Sequence, residues 1–161
     1  MLDTTAESVN SALKRARANL ERRRSPGADR EQPPSPNSSS EDDLVAKFVR
    51  AWESTDLDGL VALLADDVYV SMPPMPFEYE GRDLVARFCA SIFGVGRRFD
   101  LVPTRANGQP AFGAYLRAPN GISHGMGLYV LTLAGERICA MTRFENTVLR
   151  WFGRPRSFPT R

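Results

Sequence analysis

Residues 56–72, DLDGLVALLADDVYVSM, contain a change of period that decides the fold class. Asp56 is of the residue type that caps a helix N-terminus. Leu57, Leu60, Val61 and Leu64 recur at the spacing of one helix face, and Ala65-Asp66-Asp67 ends that helix. Val68-Tyr69-Val70-Ser71-Met72 then reads as a strand, β-branched and aromatic. A capped helix running straight into a strand points to a mixed fold, and the flanking sequence extends that reading in both directions.

On the N-terminal side, Ser40 with Asp43 resembles a capping box, and Leu44, Val45, Phe48, Val49 and Trp52 form one amphipathic helix face. On the C-terminal side, Pro73, Pro74 and Pro76 stop the strand and stiffen a loop. Gly81-Arg82-Asp83 leads into a third helix with Leu84, Val85, Phe88, Cys89 and Ile92 on its buried side. After Gly94 the pattern changes. Asn107-Gly108 and Asn120-Gly121 are hairpin signals and Ala134-Gly135 is a weaker one. They separate strands over 97–105, 110–118, 122–133 and 137–148. The order α-α-β-α-β-β-β-β predicts an α+β fold, a cone-shaped, curved, mostly antiparallel sheet packed with three helices. Such a cone encloses a cavity suited to a small ligand. Phe48, Trp52, Tyr69, Met72, Phe88, Tyr115, Met126 and Tyr129 are the candidates to line it, and filling the core is the competing role for each. Methionine suits an adaptable apolar pocket.

Apolar residues make up 42% of the 161 residues, enough for one core. No apolar run is long enough to span a bilayer and no signal peptide is visible, so a cytoplasmic protein without membrane attachment is expected. Cys89 and Cys139 sit among apolar neighbours and read as buried thiols. The net charge of +2 is uneven. Residues 1–24 carry six basic and three acidic side chains, whereas residues 41–161 carry fourteen of each. Only the ends can attract nucleic acid, and at the N-terminus weakly and without sequence preference. Residues 25–40, SPGADREQPPSPNSSS, read as a disordered linker. Residues 41–150 form the folded domain, and residues 151–161 are a basic tail containing Arg154, Arg156 and Arg161.

No P-loop, dinucleotide-binding glycine pattern, zinc spacing or nucleophile elbow is present, so neither a metal nor a cofactor is expected. His124, the single histidine, lies in Ser123-His124-Gly125-Met126 on a predicted strand and reads as a surface group or a catalytic one. Arg143 and Glu145 share a predicted strand face, as an ion pair or as groups turned into the cavity. Asp100 completes the set of polar candidates. If the domain is an enzyme, its catalytic residues come from His124, Asp100, Arg143 and Glu145.

The segment Asp56-Leu57-Asp58-Gly59-Leu60 with Leu64-Ala65-Asp66-Asp67-Val68 resembles the start of a SnoaL-like domain. That domain belongs to the nuclear-transport-factor-2-like superfamily, with ketosteroid isomerase, polyketide cyclases and limonene epoxide hydrolase. The resemblance covers residues 41–148 and implies a homodimer. Isomerase chemistry would need a tyrosine and two acids, but the matching positions hold Phe48, Met72 and, near the last, Tyr129. Epoxide-hydrolase chemistry would need an acid–arginine–acid set, for which Asp100, Arg143 and Glu145 are nearest by type.

A second resemblance spans the chain. VNSALKRARANL, the Pro/Ser linker, ADDVYVSMPPMP, GRDLVARF, NGQPAFGAYLR and TRFENTVLRWFGRPRSFP are similar to a group of extracytoplasmic-function sigma factors with a SnoaL-like C-terminal extension. In that group the extension modulates sigma activity. The resemblance implies that residues 1–20 are the last helix of the promoter-reading region. In an intact parent Asn10 faces base edges, and Lys14, Arg15 and Arg17 contact phosphates. The expectation is a truncated sigma-factor-related protein whose domain binds a small apolar ligand, or a sigma or RNA polymerase surface, and modulates transcription initiation. The alternative is a stand-alone cyclase, isomerase or epoxide hydrolase acting on a hydrophobic metabolite.

Overall fold

Asp56 caps its helix as its residue type predicts, Oδ1 accepting from the Gly59 N–H at 2.9 Å. The helix is short, Leu57–Ala62 (α2), because strand β1 takes over at Leu64 and runs to Ser71. Ala65-Asp66-Asp67, expected to close the helix, lies inside β1, where the register shifts between Leu64 and Tyr69. Asp66 there pairs with Arg82 at 2.7 Å. The computed structural model describes residues 31–94 and 96–160; Asn10, Lys14, Arg15 and Arg17 lie outside them.

The preceding helix, α1, spans Ser39–Glu53. Its cap is Ser38 rather than Ser40: Ser38 Oγ accepts from the Glu41 N–H at 3.3 Å. The earlier start turns Glu41 inward, where it is buried and grips Arg105 through two bonds of 2.8 and 3.1 Å. The expected disorder of residues 25–40 therefore does not reach their C-terminal end. Gln32 also accepts a bond from the Gly135 N–H at 3.2 Å. The third helix, α3, covers Arg82–Phe93 and buries Val85, Cys89 and Phe93.

Strand β2 (Glu78–Glu80), β3 (Phe99–Ala106), β4 (Gln109–Arg117), β5 (Ile122–Ala134) and β6 (Arg137–Phe144) complete the main sheet. Its order is β2-β1-β6-β5-β4-β3, and β1–β6 is the parallel pair in an otherwise antiparallel arrangement. The hairpins turn at Asn107-Gly108 and at Gly121, whose positive φ angles are the reason for those residue types. Strand β6 ends at Phe144, short of the predicted 148. A 3-10 helix, Asn146–Phe152, follows, and then a short strand β7, Ser157–Pro159, that pairs with β5. Residues 157–159 of the basic tail thus pair with the sheet.

Two apolar clusters result. One lies between the helices and the concave face of the curved sheet. Phe48, Trp52, Leu60, Val68, Val70, Val85, Phe112, Tyr129 and Leu131 are among its members. The other lies on the outer face, where Leu149 of the 3-10 helix packs with Ala111, Tyr115, Leu128 and Val130.

Candidate functional site

The concave face is an aromatic interior with one polar margin. Trp52 is 1% exposed and meets Phe93, Phe99 and Tyr129 edge-on, with the Tyr129 ring 5.1 Å away. Phe48 packs beside it at 5.5 Å. Tyr79 and Phe88, packed against this cluster, stack at 4.5 Å. Burial pushes the Tyr129 hydroxyl up to about 12, against the opposing pull of Arg143, whose guanidinium donates a hydrogen bond to the phenol oxygen, so the phenol stays protonated at neutral pH. Burial likewise pushes the Cys89 thiol up to about 12, which removes it as a nucleophile.

Arg143 forms the polar margin. It stands directly across the ladder from Tyr129. Its Nη2 donates to the Met126 carbonyl at 2.9 Å and its Nη1 approaches Met72 Sδ at 3.9 Å. The strand geometry around it depends on Gly127, where φ is +152° and a Cβ would collide with the Phe144 carbonyl oxygen. A bulge here, between Ala114 and Tyr115 in the β4–β5 register, turns Met126 toward the concave cluster.

The structure sorts the expected site residues. Phe48, Trp52, Met72 and Tyr129 are buried, and Phe48, Trp52 and Tyr129 belong to the concave cluster, with Phe88 and Met126 packed against it. Tyr115 does not: it belongs to the outer cluster, where its hydroxyl donates to the Pro155 carbonyl at 2.8 Å. Tyr69 also turns away, because Val68 and Val70 on either side of it take the concave positions.

The acid–arginine–acid set is not assembled. Asp100 lies across from Tyr115 on the outer side and bonds Arg117 and the Ser123 hydroxyl, the latter at 2.8 Å. Glu145 does not share a strand face with Arg143, because the strand ends at Phe144; it is exposed at the head of the 3-10 helix. His124 is exposed and pairs in register with Leu116 and Ser157. Among the described residues, no group of three or more His, Cys, Asp or Glu side chains is placed to hold a metal ion, and no helix is long and apolar enough to cross a membrane.

The outer face holds features that periodicity did not reveal. The C-terminal segment encloses two cavities against the sheet. One, of about 550 Å³, is lined by Leu101, Tyr115, Arg154 and Phe158 among others. The second, of about 390 Å³, is lined by Leu128, Val130, Phe144, Val148, Trp151 and Phe152 with Arg105 at its edge. Trp151 beside it is 74% exposed, with the Arg150 guanidinium 4.7 Å from its ring centre. The signal for this cover was the apolar set Val148, Leu149, Phe152 and Phe158, hidden among arginines.

The family model of the SnoaL-like domain matches residues 45–147. The chain belongs to the SnoaL-like domain family. Over an alignment that includes that domain, it is 34% identical to the ECF RNA polymerase sigma factor SigG of Mycobacterium tuberculosis, in strains CDC 1551 and H37Rv alike. The match covers 97% of this chain and 42% of the relative, so the chain spans less than half the length of the sigma factors it matches. Solved structures with this fold include an NTF2-like protein of unknown function from Mesorhizobium loti. It is 20% identical, with 70% of this chain and 95% of that one covered and a TM-score of 0.57. A second is an LEH-like epoxide hydrolase of M. tuberculosis. It is 19% identical, with 68% and 85% covered and a TM-score of 0.53. Both likenesses concern the SnoaL-like fold alone.

Proposed function

We propose that this SnoaL-like domain is a cytoplasmic regulatory module that modulates transcription initiation by contacting a sigma factor or RNA polymerase surface, with a small apolar ligand in the cone as its effector. The observation that carries the reading is the reach of the sigma-factor likeness. It extends over 97% of the chain, well outside the residues that the domain family accounts for. The contact is assigned to the outer face around Trp151. An exposed tryptophan flanked by Arg150, Arg154 and Arg156 has the composition of a protein-binding anchor. The basic side chains among residues 1–24 add weak, non-specific attraction to nucleic acid.

The test grafts this chain in place of the corresponding part of the M. tuberculosis relative and measures promoter-specific transcription in vitro. Trp151→Ala and Arg150→Ala are expected to change the output several-fold at unchanged protein stability. Output equal to the wild type in both, and in a chain ending before residue 41, overturns the proposal.

The enzymatic alternative loses support from the separation of Asp100, Arg143 and Glu145. A homodimer of the kind the superfamily resemblance implies would have to use the part of the sheet that the C-terminal segment leaves open. Light scattering across a concentration series gives the mass directly, and a monomer throughout removes the dimer.

A further inference from the structure

The concave face presents a buried hydrogen-bond donor with no acceptor to receive it. The Trp52 indole N–H is buried without an acceptor among the described residues. Such a group costs about 1–3 kcal/mol unless something supplies an acceptor. Tyr129, whose ring packs against Trp52, brings a hydroxyl from the middle of the same row. Arg143, across the ladder from Tyr129, brings five N–H donors. Its described contacts are one carbonyl, one thioether and the Tyr129 hydroxyl, which leaves donors of the guanidinium fork over.

Charge makes the set more specific. The ion pairs among the described residues join Arg82 to Asp66, Arg105 to Glu41 and Arg117 to Asp100; Arg143 takes no part in them. A half-buried cation without a carboxylate of its own is a costly arrangement, and a guanidinium favours a planar two-oxygen anion. The surroundings are apolar: Met72 and Met126 beside the guanidinium, and the aromatic rings beyond. Methionine side chains adapt to ligand bodies of different outline.

From this juxtaposition we propose that the cone takes an apolar molecule bearing one carboxylate, with Arg143 as the residue that selects the acid and the Trp52 N–H and Tyr129 hydroxyl as supporting donors. The inference deepens the ligand part of the proposed function and rests on that part, not on the transcriptional part. A neutral ketone or amide would satisfy the Trp52 N–H but would leave the charge of Arg143 unanswered.

The experiment uses the full chain carrying Trp151→Phe, which leaves Trp52 as the sole tryptophan, because the sequence holds two. The probes are two matched sets: adamantane-1-carboxylate with its carboxamide, and decanoate with decanamide. Trp52 fluorescence reports occupancy, and titration calorimetry gives the affinity. In at least one set the carboxylate is expected to bind at least about ten-fold more tightly than the amide, the scale of one charge-assisted hydrogen bond. Arg143→Met is expected to abolish that preference while amide binding persists. A protein that binds acid and amide equally overturns the acid selectivity and leaves an apolar-ligand cone standing. A protein that binds neither set overturns this inference and the ligand part of the proposed function together. A preference that survives Arg143→Met removes Arg143 from the selecting role.

Discussion

The two faces of this sheet are covered by different means. The concave face is packed by three helices that carry apolar stripes, and its rings gather around Trp52. The outer face is covered by a 3-10 helix and a three-residue strand, joined by a turn at Gly153 and anchored on Leu149. The first cover is built from elements with many internal hydrogen bonds. The second depends on a few inserted side chains, and it leaves Trp151 in solvent. A protein that needs one stable interior and one adjustable contact surface can assign them to the two sides of a single sheet.

The sharpest way to break this comparison is to truncate one anchor on each side. Trp52→Ala is expected to cost about 3–5 kcal/mol and Leu149→Ala about 2–5 kcal/mol, read by urea denaturation. If Leu149→Ala proves nearly neutral, the outer cover is a loose appendage and the contrast fails.

A smaller effect probes the fit of that cover. A Cβ on Gly125 would stand 2.6 Å from Leu149 Cδ1 and 3.1 Å from the Arg156 carbonyl oxygen. Gly125→Ala is expected to cost about 1–3 kcal/mol by overpacking and to raise tryptic cleavage after Arg156. Cleavage unchanged from the wild type would mean that the segment has another attachment.

Acid tests the seam between α1 and the sheet. Arg105, bonded to Glu41, holds that carboxyl below its ordinary value of 4.5 against the opposing effect of burial. A depressed carboxylate stabilises the fold at pH values above its unfolded pKa, and the stabilisation is lost as pH falls through the folded value. Stability is therefore expected to decline below pH 4.5, and the decline to be shallower in Glu41→Gln. Parallel pH profiles would assign the loss to other carboxylates.

The smallest expected change in stability is that of Trp151→Ala, within about 0.5 kcal/mol. The same substitution is the one expected to change transcription most. A large loss of stability here would make Trp151 part of the fold and weaken its assignment as a contact.

How far the sequence could be read differs between the same two faces. The three helices and the long strands were legible because apolar residues recur at fixed periods, as in Leu44, Val45, Phe48, Val49 and Trp52. The outer cover was not, since a 3-10 helix and a three-residue strand are too short to repeat a pattern. For Tyr115 and Tyr69 the difficulty was parity. Period-two alternation says that neighbours face opposite ways, but not which way, and the bulge at Met126 resets the count along β5. Asp100 was misplaced for the same reason. Ser40 was preferred over Ser38 as a cap because both stand in a run of serines, and the choice depended on the inward turn of Glu41, a contact distant in sequence. Within the candidate site, Trp52, Tyr129 and Arg143 were each visible by type, whereas their alignment in one row depends on the β5–β6 register.

Gly125-Met126-Gly127 gains a further meaning from its position. The Gly125 N–H bonds the Arg156 carbonyl of the outer cover, the Gly125 carbonyl accepts from Asn146, and the next carbonyl, of Met126, receives Arg143 from the cone. Two consecutive residues, Gly125 and Met126, are therefore the hem along which lining and outer cloth are stitched together. Hydrogen exchange at the Gly125 amide, followed as the cone is filled, shows whether a tug on the lining reaches the other side.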